Sequence, residues 1–300
     1  MAKTWLITGS SRGFGWELAK AVLEDGDNVV ATARRPEQLD DLVRRHGDRV
    51  RTCALDVTDP EAARAAVKLA VDAFGSLDVV VNNAGYAIFA SIEDMPDDVF
   101  RAQIEANLFG VVNVTKAALP VLRKQRSGHF IQFSSIGGRV GGTPGLSAYQ
   151  TAKFAVEGFS EVLNNEVKPL GINVTIIEPG AFRTDWGGPT ARTMPVSPDY
   201  DLSVGRMMRS RDATDGRQAG DPVRAAALII GIARLDEPPL RLLLGAGALE
   251  SAATASRARA AEAEEWSAVS RSADFGAGPP ESAHPRSVGG DRIRLKDAKP

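Results

Sequence analysis

The sequence predicts an α/β fold built on a doubly wound parallel sheet, and three observations carry that prediction. Short apolar runs of strand type alternate with helix-like segments along most of the chain. A glycine-rich loop joins the first such run to the first helical segment. Later runs end in small or polar turns, Asn82-Asn83-Ala84-Gly85 and Glu178-Pro179-Gly180, as expected at strand ends that face a ligand.

The elements follow in order. Residues 3–8 form an apolar run leading into Gly9-Ser10-Ser11-Arg12-Gly13-Phe14-Gly15, and residues 16–25 read as a helix closed by Gly26. Strand, glycine loop and helix make the first half of a dinucleotide-binding βαβ unit. Gly9, Gly13 and Gly15 let the backbone approach a pyrophosphate, and the helix N-terminus points its free amides at the phosphates. Residues 28–33 are the second strand and end at Arg34-Arg35. An acid at this distance from the glycines would hold the ribose 2′-hydroxyl of NAD. Arg34 stands there instead, with Arg12 inside the loop, so two guanidinium groups are expected to clamp a 2′-phosphate and the cofactor is expected to be NADP(H).

Residues 49–55 are a third strand, ending at Asp56-Val57; Asp56 is placed either to accept from an adenine amino group or to form a turn. Asp59-Pro60-Glu61 caps a helix that runs to about residue 74. Residues 77–81 lead to Asn83, Ala84 and Gly85, where small residues let a nicotinamide ribose lie against the backbone and asparagine amides fix the loop. Residues 97–125 form a long amphipathic stretch with Asn107 near its middle. A polar side chain there must be bonded, so Asn107 either ties down a kink or takes part in the site.

Residues 130–133 precede Ser134-Ser135, a glycine-rich loop, and then Tyr149 with Lys153 four residues on. That spacing puts the two side chains on one helix face. A phenol titrates near pH ~10, and a neighbouring ammonium is expected to lower that value toward the range useful for acid–base catalysis. Ser135 is placed to hydrogen-bond the oxygen that Tyr149 protonates. Residues 172–177 are a further strand before Pro179, Gly180, Thr184 and Asp185. Residues 187–220 read as irregular, so the segment 181–220 is expected to act as a substrate lid. A helix from Asp221-Pro222 to about residue 235 and a strand over 239–244 complete the domain, residues 1–247. Alanine content predicts a helical extension over 248–273, and residues 274–300 have the composition of a disordered tail.

Composition narrows the function. A net charge of −2 gives no long-range pull toward nucleic acid or an acidic membrane surface. Cys53 is the one cysteine and His46, His129 and His284 share no metal-ligand spacing, so neither a disulfide nor a metal site is expected. No apolar stretch is long enough to span a bilayer, and the chain opens on a strand-like run; a cytoplasmic location is expected.

Thr8-Gly9-x-x-x-Gly13-x-Gly15, Asp56-Val57, Asn82-Asn83-Ala84-Gly85, Asn107, Ser135, Tyr149-x-x-x-Lys153 and Pro179-Gly180 stand in the order found in the classical short-chain dehydrogenase/reductase family, which residues 3–247 resemble. The resemblance implies a Rossmann-type domain with about seven parallel strands and helices on both faces. It also implies carbonyl–alcohol interconversion with a nicotinamide cofactor, a tetrad of Asn107, Ser135, Tyr149 and Lys153, and assembly into dimers or tetramers. Ser134 is the reserve for Ser135, because the interval to Tyr149 is one residue longer than in many members, and Phe14 replaces a usual aliphatic residue with little consequence expected. The wording GGRVGGTPGLSAY and EPGAFRTD is similar to the estradiol- and retinol-dehydrogenase-like branch, a hint of an apolar substrate. The alternative is a non-catalytic NADP(H)-binding redox sensor on the same fold.

Overall fold

The computed structural model describes residues 2–185 and 192–275. Seven strands form one sheet: β1 (Thr4–Ile7), β2 (Asn28–Ala33), β3 (Val50–Ala54), β4 (Val79–Asn82), β5 (Gly128–Phe133), β6 (Ile172–Pro179) and β7 (Arg241–Leu244). Their order is 3-2-1-4-5-6-7, and every pairing is parallel. The order reverses direction between β1 and β4, and the crevice beyond the carboxyl ends of those two strands is where this topology places ligands. The central strands are almost wholly apolar, and their side chains are buried on both faces.

The two faces have separate cores. On one, Trp5, Ile7, Val29 and Ala31 pack against α1 (Gly13–Glu24) and α8 (Pro222–Ile232). On the other, Leu6, Val30, Val80 and Phe130 pack under α3 (Pro60–Phe74) and α5 (Gly110–Gln125). Alternate residues of one strand thus serve opposite cores, as a period of two requires. Asp59 caps α3 by accepting from the Glu61 and Ala62 amides, and Asp221 caps α8 through Val223 and Arg224. Both proline-preceded starts are where the sequence predicts them. A short helix not anticipated from the sequence, α2 (Asp40–His46), lies between β2 and β3.

The amphipathic stretch 97–125 is one helical run in three parts: α4 (Asp97–Ile104), a π-helical turn over Glu105–Phe109, and α5. Beyond it, α6 (Ser147–Val167) carries Tyr149 and Lys153 on its buried side.

The segment after β6 corrects one expectation. It is not irregular throughout: α7 (Arg206–Thr214) follows a π-turn at Asp201–Gly205 and a 3₁₀ turn at Pro198–Tyr200. Its sequence, RMMRSRDAT, is too polar to show a helical apolar stripe. The segment is tied at both ends. Arg183 N donates to Gly220 O at 3.0 Å and Gly220 N to Ala181 O at 3.1 Å. Farther along, Arg192–Thr193 pairs with Ile88–Phe89, and Asp94 accepts from the amide of Ser197 at 2.9 Å. Residues 186–191 and the expected tail beyond 275 lie outside the described residues.

The chain divides into two units after Leu249. The second is helical through Glu265, the end of α9 (Ala246–Glu265), and again over Ser267–Arg271. Among the described residues no helix is long and apolar enough to cross a membrane.

Candidate active site

The nucleotide end of the crevice is held by backbone. Gly9 and Gly13 have φ of +68° and +56°, a region that side-chain-bearing residues seldom occupy. A β-carbon on Gly15 would overlap the carbonyl of Gly9, so only glycine allows α1 to begin this close to β1. Thr8 is buried, and its Oγ1 accepts from the amides of Asn83 and Ala84, both at 3.0 Å, while donating to Val81 O at 3.1 Å. Asn83 Nδ2 returns bonds to the carbonyls of Thr8 (2.9 Å) and Gly9 (3.1 Å). The first glycine loop and the turn after β4 are thereby locked to each other, the role expected of the asparagine amide.

A cleft of about 950 Å³ opens over these loops. Ser11, Arg12, Arg34, Arg35, Asp56 and Val57 line it. Asp56 Oδ1 accepts from the Thr58 amide (3.0 Å) and hydroxyl (2.7 Å), so it closes a turn while facing the cleft. Burial acts to raise its pKa, but those two bonds and the nearby Arg34 guanidinium together hold it below the usual value. The glycine backbone, the free amides at the start of α1 and this arginine pair form a cradle that fits a nicotinamide dinucleotide.

A second cavity, of about 620 Å³, adjoins the first along Phe14, Asn83, Gly85 and Thr184. Pro179 and Gly180 form part of its wall, and so do Asn107, Ser135, Tyr149 and Lys153. All four residues of the expected tetrad therefore come together. Ser135 caps the short turn Ile136–Arg139 by accepting from Gly137 N at 3.0 Å, and its hydroxyl bonds to Tyr149. Ser134 turns away toward the Lys153 carbonyl (3.5 Å) and Glu157, so Ser135 is the serine beside the phenol. Lys153 Nζ donates to Phe133 O at 2.6 Å and stands 5.7 Å from the centre of the Tyr149 ring.

The electrostatics correct the expectation that Lys153 lowers the tyrosine pKa. Burial pushes Tyr149 up to about 12, with the Ser135 bond a lesser opposing effect. Burial likewise pulls Lys153 down to about 8, against the attraction of Glu157. Both groups have lost their water, and for Lys153 this outweighs the charge of Glu157. The phenol is held protonated at neutral pH.

Asn107 resolves the two options open for it. Its Nδ2 donates to Gln103 O (2.8 Å) and Tyr86 O (2.9 Å), and its Oδ1 accepts from Tyr86 N (3.1 Å). The side chain thus fixes the strand-end loop while sitting in the π-turn, a feature that often marks functional sites. A β-carbon on Gly85 would lie 2.5 Å from that Oδ1, which explains the glycine.

Several residues here escaped sequence reasoning. Phe14 was expected to matter little, yet its ring lies 5.4 Å from Phe133 and 5.0 Å from Phe182, joining the glycine loop to the sheet and to the segment after β6. Glu178, fully buried at the end of β6, is held by Arg139 and Arg241, each at 3.2 Å. Arg241 also reaches Glu157 (3.1 Å), so two arginines and two carboxylates form a network behind Lys153. These pairs span up to 84 residues, a separation with no local signal.

A family model described as short chain dehydrogenase matches residues 3–194. The chain belongs to the short-chain dehydrogenase family. It is 50% identical over 271 residues to oxidoreductase BOA17 of Botryotinia fuckeliana, covering 90% of this chain and 98% of that one. A short-chain dehydrogenase structure from Streptomyces avermitilis superposes with a TM-score of 0.85 at 40% identity, covering 92% and all of the respective chains. Family folds accept either nucleotide. An alcohol dehydrogenase from Thermococcus sibiricus, complexed with 5-hydroxy-NADP, has a TM-score of 0.66 at 26% identity over 81% of this chain and 96% of that one. A Burkholderia phymatum family member, complexed with NAD, reaches 0.73 at 21%, over 88% and 94%. This short-chain dehydrogenase is thus an oxidoreductase by family, with a nicotinamide nucleotide as the expected partner of its glycine loop.

Proposed function

We propose that the protein is an NADP(H)-dependent oxidoreductase that reduces a carbonyl to a secondary alcohol, or the reverse, on a largely apolar small molecule. The observation that carries this reading is the buried Tyr149–Ser135 hydrogen bond beside Lys153, on the wall of the 620 Å³ cavity that adjoins the nucleotide cleft.

A nicotinamide held by the glycine loop and the α1 N-terminus would supply the hydride for a carbonyl carbon. Tyr149, protonated at neutral pH, gives its proton to the carbonyl oxygen, and Ser135 donates a second hydrogen bond to that oxygen. Lys153, anchored on the Phe133 carbonyl, presents its remaining donors to the nicotinamide ribose, while Asn107 keeps the loop carrying Tyr86 in place. Arg12 and Arg34 attract the 2′-phosphate that distinguishes NADP, with Asp56 on the adenine side. Acid–base assistance of this kind is worth roughly 10²–10⁴ in rate. Exposed Phe109, Phe154 and Val162 offer an apolar face for association into a homodimer or homotetramer.

The test is oxidation of NADPH and of NADH by purified protein with ketones of graded size. Turnover that is faster with NADPH and lost in Tyr149→Phe supports the reading; nucleotide binding without turnover of any carbonyl would favour the sensor.

A further inference from the structure

The inner face of α7 is made of Arg206, Met207, Ser210, Arg211 and Thr214, spaced so that all of them line the 620 Å³ cavity. The outer face carries Arg209, which Asp201 pairs at 2.6 Å on an exposed surface. Arg209 and Arg211 thus have different environments although a single residue separates them. The Arg211 side chain is 16% exposed. Its guanidinium lies 4.4 Å over the ring of Phe89, itself buried in a cluster with Tyr149, Leu146 and Ala87. One edge is taken: Nε donates to the exposed carboxylate of Asp212 at 3.0 Å. The other is not. Arg211 Nη1 is buried and has no hydrogen-bond partner among the described residues, and the same holds for Gln218 Oε1, on the same cavity.

A buried guanidinium donor left unpaired is unfavourable, and a cavity group normally meets an acceptor on the ligand. Among the described residues no aspartate or glutamate lines this cavity, whereas two arginines do. The remaining lining is largely apolar, with Phe14, Phe133, Pro144, Phe182 and Met207. The stacked ring holds the guanidinium plane in place, which suits recognition of a planar anion.

We infer that the substrate is amphipathic, an oxo compound whose apolar body ends in a carboxylate bound by Arg211. The inference rests on the oxidoreductase reading above and narrows its substrate class. Apolar walls take the chain of the molecule, Tyr149 and Ser135 take the carbonyl, and Arg211 takes the acid at the lid. Gln218 Oε1 is free to accept from a hydroxyl on the same molecule.

The experiment compares 3-, 5- and 7-oxodecanoic acids with their methyl esters as substrates for NADPH oxidation. At the best spacing the acid is expected to exceed its ester in kcat/KM by about ten- to a hundredfold, the worth of one charged hydrogen bond. Arg211→Met is expected to collapse that ratio toward one, and Arg211→Lys to restore part of it, with melting curves confirming that each variant is folded. Equal values for acid and ester in the native enzyme, or an acid–ester ratio that survives Arg211→Met, would overturn the inference. Decanoate, which cannot be reduced, is titrated calorimetrically into the nucleotide-loaded protein. Arg211-dependent decanoate binding without turnover of any oxo acid keeps the anion site and removes the oxidoreductase reading. Turnover of ketones with no acid preference does the opposite.

Discussion

At the nucleotide end of the crevice nearly every contact is made by backbone or by a side chain bonded to backbone, from Thr8, Gly9, Gly15 and Asn83. At the other end the cavity is lined by long side chains on α7, Arg206, Met207 and Arg211, and Arg211 is held by other side chains, Asp212 and Phe89, not by backbone. Backbone geometry tolerates almost no substitution, because atoms a fraction of an ångström apart decide whether two loops can meet. A surface of flexible side chains accepts many replacements without unfolding and so can be altered to suit a different ligand. The difference teaches that one end of the crevice is fixed by backbone geometry and the other shaped by side chains, which on the reading proposed above select the substrate. Tyr149, on α6, lines the second end, in the cavity that adjoins the nucleotide cleft.

The largest effect expected anywhere in the molecule is at that residue. Tyr149→Phe should lower kcat by about 10²–10⁴, while nucleotide titration by fluorescence changes by no more than about twofold. Retention of activity within about tenfold would take the proton transfer away from Tyr149.

On the backbone side, Gly15→Ala should strike binding and folding together. Its β-carbon meets the Gly9 carbonyl and the Asn83 amide, so about 1–3 kcal/mol of stability is expected to be lost, with weak or absent nucleotide binding. A urea titration and a nucleotide titration on the same sample check it. A variant that binds normally would mean the loop moves more freely than its packing implies.

Lys153 allows a pH test. Its folded pKa is depressed from 10.5 to about 8, mainly by burial. Between those values the unfolded chain holds the proton and the folded chain does not, so this group's contribution to stability rises with pH through that window. Below pH about 8 the buried charge opposes folding, by on the order of 3 kcal/mol. The stability of the native protein minus that of Lys153→Met should therefore rise between pH 7 and 10, read from urea midpoints. A flat difference would place the ammonium in contact with water.

The smallest effect sharpens the contrast within the nucleotide cleft itself. Arg34→Asp should move the NADP-to-NAD affinity ratio about tenfold toward NAD, the worth of a single exposed charge contact, and leave the melting temperature nearly unchanged because Arg34 is exposed. An unaltered ratio would mean the cleft does not read the 2′-phosphate through this residue.

The fold was legible because its signals are local. Strand runs, the caps Asp59-Pro60 and Asp221-Pro222, and the glycine loop each depend on residues within one turn or one strand. Tyr149 and Lys153 were legible for the same reason, four residues apart on one helix. Phe14 was misjudged because its neighbours, Phe133 and Phe182, come from β5 and the segment after β6. Helix α7 was missed because its inner face is polar and answers to a cavity and not to a core.

By itself, the sequence determined the alternation of strands and helices, the glycines that admit a dinucleotide, and the spacing that puts a phenol and an ammonium on one face. Only the tertiary structure decided which way their pKa values move, since burial is the largest influence on both and is a property of the whole packed chain. It likewise decided which arginine of α7 faces the cavity, because a helix shows its inner side only against the elements it packs upon.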